Sequence, residues 1–239
     1  MLRHLGWKGR LLRSTLSRRG AAVLQMVGGP ACADLALVHD TEARVPLLVQ
    51  EAAALQILAC VRACAHLGGT MAEAGVFEGG TARLICEAKG DSPVRLFDVF
   101  ETLQGPADPA ESSKRADELR GHFRGVHGHR ATVERLLASY PDVHLHAGVF
   151  PDTAAGLEAE RFSFVHLDLD LEPSTRDALR FFHPRMLPGA ILIGDDYVAP
   201  GVRRAFDEHF RDSPDVRIEL PWSQVVVVKA QPSPDRGVG

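Results

Sequence analysis

Glu73-Ala-Gly75-Val-Phe-Glu78-Gly79-Gly80-Thr81 closes a short apolar run and opens a helical one. Its glycines let the backbone turn tightly and come close to a ligand, and the helix start offers free N–H groups. In an open α/β sheet, a turn at the carboxyl end of a strand faces the crevice where ligands bind. The pattern is E-x-G-x-x-x-G rather than G-x-G-x-x-G. Glu73 and Glu78 would repel a pyrophosphate, whereas they suit a ligand carrying a sulfonium and an ammonium group. The charge of the turn therefore favours S-adenosylmethionine (SAM) over a dinucleotide.

Outward from this turn the pattern alternates. Strand-like runs fall at 70–76, 94–100, 143–149, 162–169, 189–194, 216–220 and 224–229, with helix-like runs at 80–89, about 115–139, 174–187 and 201–211. Apolar residues at helical spacing from Val45 to Val61 predict a further helix over 42–66, ended by Gly68-Gly69. Alternating strands and helices build a parallel sheet covered on both faces, because a parallel crossover needs a long connection. The last two runs are joined only by Pro221-Trp222-Ser223, which is hairpin spacing. The expected fold is thus α/β and Rossmann-like. It has a seven-stranded, mostly parallel sheet with an antiparallel C-terminal hairpin, as in class I methyltransferases, plus an N-terminal helical extension.

The second strand ends in Asp98, 23 residues after Gly75. A carboxylate there can accept both hydroxyls of an adenosine ribose, and Glu101 is the substitute if the register differs. The third strand ends at Ala147-Gly148-Val149-Phe150, where an adenine base can rest on Gly148 and Phe150 as readily as Phe150 can pack into the core.

Two further strands stop abruptly in acids: Phe162-Ser-Phe-Val-His166-Leu-Asp168-Leu-Asp170 and Ala190-Ile-Leu-Ile-Gly194-Asp195-Asp196-Tyr197. Adjacent parallel strands would bring these carboxylates together, and they repel unless a cation neutralises them. Oxygen-only ligands suit Mg²⁺ or Mn²⁺. Such an ion lowers the pKa of a bound hydroxyl, which methyl transfer to oxygen requires. Asp168 ranks first as ligand and catalytic residue, Asp195 and Asp196 next. Asp170 ranks last, because the chain is expected to turn near Glu172-Pro173-Ser174, with Ser174 an N-cap candidate.

Residues 102–130 are rich in Gly and Pro and hold His122, His127 and His129. Such a segment is placed to act as a lid or substrate loop. A histidine there can serve as general base or simply be solvated. His166, within a strand, reads as a core histidine, and His183 as structural.

Charge is unevenly distributed. Residues 1–20 carry six basic side chains and no acid, leaving 21 basic and 31 acidic residues in the remainder. The net charge of −4 gives no overall basic field for nucleic acid. The basic arm, taken as residues 1–40, can solvate, pack on a subunit or touch a membrane surface. A domain over 41–231 and a Pro/Gly tail over 232–239 follow. No apolar run reaches the roughly 18 residues of a membrane span. The four cysteines, none at zinc spacing, read as reduced thiols in a cytoplasmic protein. The expected partners are a small hydroxylated substrate and further copies of the chain in a homo-oligomer.

In order and spacing, Glu73–Gly80, Phe97–Glu101, Gly148–Thr153, His166–Thr175 and Pro188–Tyr197 resemble the macrocin O-methyltransferase family, over about residues 41 to 229. A more distant similarity is to catechol O-methyltransferase. The resemblance implies SAM contacts at Glu73, Gly75 and Asp98, and Mg²⁺ held at the Asp168 and Asp195–Asp196 positions. It also implies an O-methyltransferase acting on a natural product, such as a macrolide- or polyketide-linked sugar. Thr102-Leu-Gln-Gly-Pro106 departs from the family's Gly-Leu-Pro, so the acceptor is not read from the motif. Asp168-x-Asp170 also occurs in metal-dependent glycosyltransferases and dehalogenase-type phosphatases, but neither accounts for Glu73–Gly80. A nicotinamide dehydrogenase would need a different glycine spacing. A non-catalytic SAM-fold scaffold is the remaining alternative.

Overall fold

A computed structural model describes residues 29–100 and 129–231. In chain order the elements are α1 (Gly29–Glu42), α2 (Glu51–Cys64), β1 (Thr70–Ala74), α3 (Gly80–Ala88), β2 (Val94–Asp98) and α4 (Arg130–Leu137). Then come β3 (Val143–Ala147), β4 (Phe162–Leu167), α5 (Glu172–Phe182), β5 (Met186–Gly194), α6 (Pro200–His209), β6 (Val216–Glu219) and β7 (Val225–Val228). The seven strands form one sheet in the order β3-β2-β1-β4-β5-β7-β6. All pairings are parallel except β5–β7 and β6–β7. The expected α/β architecture and the closing hairpin are both present.

Every residue of β1 and β4 is buried, as befits central strands covered on both faces. Side chains alternate across the sheet. Met71, Leu96, Phe164 and Ile193 meet Ile57, Leu58, Leu84 and Ile85 on one face. Ala72, Val165 and Leu192 meet Leu179, Phe182, Val202 and Phe206 on the other. At the end of β5, Gly194 is required by packing, since a β-carbon there would lie 2.3 Å from the Phe206 ring. All four cysteines are free, and Cys60, Cys64 and Cys86 are buried. Among the described residues, no helix is long and apolar enough to cross a membrane.

The structure corrects the sequence reading at three places. The helix expected over 42–66 begins only at Glu51, because Pro46 lacks an N–H and forces its predecessor out of helical conformation. Residues 43–50 are non-helical and form a wall of the site described below. The helix expected over 174–187 begins at Glu172 instead, with Leu171 at its N-cap, so Ser174 is not the cap. It ends at Phe182, ahead of Pro184, and β5 begins earlier than expected, at Met186. Residues 29–40, grouped with the basic arm in the sequence, lie in α1. There Val38 and Thr41 are buried. Arg83 ties α1 to α3, donating to Thr41 Oγ1 at 2.8 Å and Asp40 Oδ2 at 2.6 Å.

Candidate active site

The strand order reverses between β1 and β4, and a crevice opens at their carboxyl ends, as it does at such switch points. It encloses about 300 Å³, open to solvent. Its walls are Pro46–Val49 on one side and Gly75–Phe77, Gly80, Thr81 and Asp168 on the other. Gly75 has φ of +92°, and a β-carbon there would lie 1.8 Å from the Asp168 carbonyl oxygen. Only glycine fits. Gly80 at the start of α3 is held as closely, with its β-carbon direction 2.7 Å from the Pro46 carbonyl oxygen. The sequence reading missed the Pro46–Val49 wall, although Pro46 itself marked the break.

Asp98 stands beside this turn, but its carboxylate is already engaged. Oδ2 accepts from the N–H groups of Val76 (2.6 Å) and Phe77 (2.8 Å), and Oδ1 from Phe100 N–H (2.7 Å). It therefore clamps the glycine turn to the end of β2. Glu101, the alternative ribose partner, lies outside the described residues, as do His122, His127 and most of the 102–130 segment. His129 is described and precedes α4. At the end of β3, Gly148 has φ of +134° and donates its N–H to the Asp98 carbonyl. Phe150 packs in an aromatic cluster with Phe97, Phe181 and Phe182, at ring-centroid distances of 5.3–5.6 Å. The ring is partly buried, packed on the core with its remaining surface exposed.

The acids at the ends of β4 and β5 sort into two groups. Carboxylate oxygens of Asp168, Asp170 and Asp196 lie within 4.8 Å of one another. Asp170 thus joins the cluster that the sequence reading placed it beside, because the chain bends there with φ of +61°; Asp196 has φ of +51°. Aspartate tolerates this left-handed region better than most side chains. Phe77 and Phe100, at the ends of β1 and β2, share the conformation, and such residues gather at functional sites.

Asp195 is engaged in a different way. Its Oδ2 accepts from Gln224 Nε2 of the hairpin at 2.9 Å and lies 3.5 Å from His166 Nε2. The other ring nitrogen of His166, Nδ1, donates to Glu73 Oε1 at 2.9 Å, with both side chains fully buried. Glu73 and His166 are register partners on adjacent parallel strands, which puts their side chains on one face. Glu73 Oε2 is buried without a hydrogen-bond partner among the described residues. A buried carboxylate oxygen in that condition suits a cationic ligand group. The sequence reading took His166 for a core histidine. Its burial is as expected, but its two carboxylate partners, distant in sequence, were not legible.

These contacts set the charges. Burial works against a charged His166, but the neighbouring carboxylates of Asp195 and Glu73 outweigh it and raise its pKa to about 10. Burial, then the charges of Asp195 and Asp170, push Asp168 well above the usual carboxylate range. Burial also disfavours ionised Asp195, yet His166 and Gln224 hold it below the usual range. The site thus keeps one carboxylate charged by internal partners and leaves another whose charge its surroundings disfavour.

This arrangement agrees with similarities across the chain. Over 151 residues, 59% of this chain, it is 33% identical to 8-demethyl-8-(2,3-dimethoxy-alpha-L-rhamnosyl)-tetracenomycin-C 4'-O-methyltransferase of Streptomyces olivaceus, and the match spans 58% of that enzyme's length. It is 30% identical to mycinamicin III 3''-O-methyltransferase of Micromonospora griseorubida over 174 residues, 67% of this chain and 68% of that enzyme. The solved structure of the O-methyltransferase NovP superposes with a TM-score of 0.65 at 25% identity, covering 74% of this chain and 78% of that one. The family model of macrocin O-methyltransferase (TylF) matches residues 52–228, a span that runs from α2 to the last strand and takes in the glycine turn and the four strand-end aspartates, with the Pro46–Val49 wall just ahead of it. The chain belongs to the macrocin O-methyltransferase family.

Proposed function

We propose that the protein transfers the methyl group of SAM to a hydroxyl of a sugar carried by a natural product, with Mg²⁺ or Mn²⁺ at its acidic cluster. The observation that carries this reading is the contact between Gly75 and Asp168. It sets the cofactor turn and the head of the acidic cluster on either side of one peptide, at the strand-order switch. The two curated relatives are by name sugar-modifying O-methyltransferases of tetracenomycin and mycinamicin compounds, which supports the acceptor class.

The residues present fit both groups. SAM is cationic, and the turn over 73–81 offers the Glu73 carboxylate, a helix N-terminus and a glycine that admits close approach. Asp168, Asp170 and Asp196 would hold the cation, an all-oxygen set that suits Mg²⁺ or Mn²⁺. Asp195 stands just behind them as a further negative charge. A bound divalent ion supplies Lewis acidity that lowers the pKa of an acceptor hydroxyl. The acceptor oxygen attacks the methyl carbon in line: a C–O bond forms, the C–S bond breaks, the sulfonium becomes a neutral thioether and the hydroxyl proton is released. The chain's own part is to orient the two substrates across the crevice between Pro46–Val49 and Gly75–Phe77.

Calorimetry with SAM, followed by methyl transfer from labelled SAM to glycosylated macrolide and polyketide acceptors, tests this. SAM binding and transfer to a sugar oxygen that stops in excess EDTA are expected. No SAM binding would overturn the reading, and full activity in EDTA would remove the cation from it.

A further inference from the structure

Among the described residues, the His166 side chain reaches both halves of the site. Nδ1 meets Glu73, of the cofactor turn, at 2.9 Å, and Nε2 faces Asp195, beside the acidic cluster, at 3.5 Å. The ring is fully buried on β4, between β1 and β5. The connection continues on both sides. Gln224 donates to the same Asp195 oxygen and accepts from Trp222 Nε1 at 3.2 Å, so that carboxylate is oriented from two strands. Among the described residues, Glu73 Oε1 has His166 as its hydrogen-bond partner and Oε2 has none. A single ring therefore lies against an acid at each end of the site, hydrogen-bonded to Glu73 and in ion-pair range of Asp195. Without the ring Glu73 Oε1 would lose its donor, while Asp195 would keep Gln224 and the Asp196 N–H but lose the cation that faces it.

We propose that His166 is a positioning residue with two separable tasks: through Nδ1 it orients Glu73 for SAM, and through Nε2 it orients Asp195 in support of the divalent cation. Neither task requires contact with SAM or with the ion. Partners behind a ligating set commonly control metal affinity by about 10- to 100-fold. The proposal rests on the SAM and cation reading above.

The two nitrogens can be replaced one at a time. An asparagine amide nitrogen lies near the place of Nδ1, and a glutamine amide nitrogen near that of Nε2. His166→Asn and His166→Gln are titrated in the full-length protein with SAM alone by calorimetry and with Mn²⁺ alone by electron paramagnetic resonance, beside thermal melts. A crossed pattern is expected. His166→Asn keeps SAM affinity and weakens Mn²⁺ binding by roughly tenfold, while His166→Gln does the reverse. Wild-type affinities in both variants would overturn the proposal. So would parallel loss of both ligands with a matching fall in melting temperature, which is what a purely structural histidine gives. Tighter Mn²⁺ binding by His166→Asn would overturn it as well. If wild-type protein binds neither SAM nor Mn²⁺, the underlying reading fails, and the proposal with it.

Discussion

The α-carbon of Gly75 packs against the main-chain oxygen of Asp168 so closely that an added methyl group would sit 1.8 Å from it. The backbone itself holds the glycine turn against the first acid of the cluster. Gly75→Ala meets an immovable carbonyl and a φ of +92° at once. A loss of about 3 kcal/mol or more is expected, from overpacking plus left-handed strain. Chemical denaturation checks it; a midpoint within experimental error of wild type would contradict the packing.

Asp168 is expected to trade stability for function. Burial and neighbouring acids disfavour its charge, so at neutral pH its ionised form destabilises the ion-free fold. Asp168→Asn should therefore raise the melting temperature of protein stripped of divalent ions by about 2–4 °C, or about 1 kcal/mol. It should also cut methyl transfer by about 100-fold or more, with SAM affinity little changed. Differential scanning fluorimetry and labelled-SAM assays give the two readings. A lower melting temperature in the variant would contradict the electrostatic account.

Asp98→Ala removes the acceptor shared by Val76, Phe77 and Phe100 N–H groups. Orphaning these donors should cost about 1–3 kcal/mol and loosen the turn. SAM affinity should fall together with stability. A variant that loses SAM affinity but melts like wild type would assign Asp98 to the ribose alone.

Far from the crevice, His183, His209, Asp215 and Lys229 form a polar cluster. Burial, followed by the charges of His183, Lys229 and Arg180, lowers the His209 pKa from 6.5 to about 4. The unfolded chain takes up this proton near 6.5, while the folded protein resists until about 4. The stability that His209 contributes is thus complete above 6.5 and lost as pH falls toward 4. His209→Gln should make that decline shallower in urea midpoints measured across the window. His183, lowered in the same direction by burial, keeps some of the slope. An unchanged slope would contradict the assignment.

Strand-end acids and the glycine turn were legible because they are local patterns: an apolar run that stops in a carboxylate marks both a strand and its end. Seven strands and the hairpin followed from the same periodicity. What stayed hidden depends on contacts between distant residues. His166 looks like any core histidine until β1 and β5 flank it. Asp170 comes within reach of Asp168 and Asp196 because its backbone dihedrals, not strand alternation, aim its side chain at the chain reversal. Phe150 reads equally well as a base platform or as packing until Phe181 and Phe182 arrive from α5. Pro46 stood within the apolar spacing of the 42–66 run, and the break that it makes was not read.

Gln224 has a consequence for the order in which the site is made. The four aspartates and His166 all precede it in the chain, on strands that can pair before the hairpin exists. A nascent chain that has emerged only through β5 therefore carries the acids but lacks the amide that holds Asp195. The geometry of the acidic centre is completed by a residue that leaves the ribosome after all five parallel strands, and the antiparallel hairpin serves as its keystone as well as its edge.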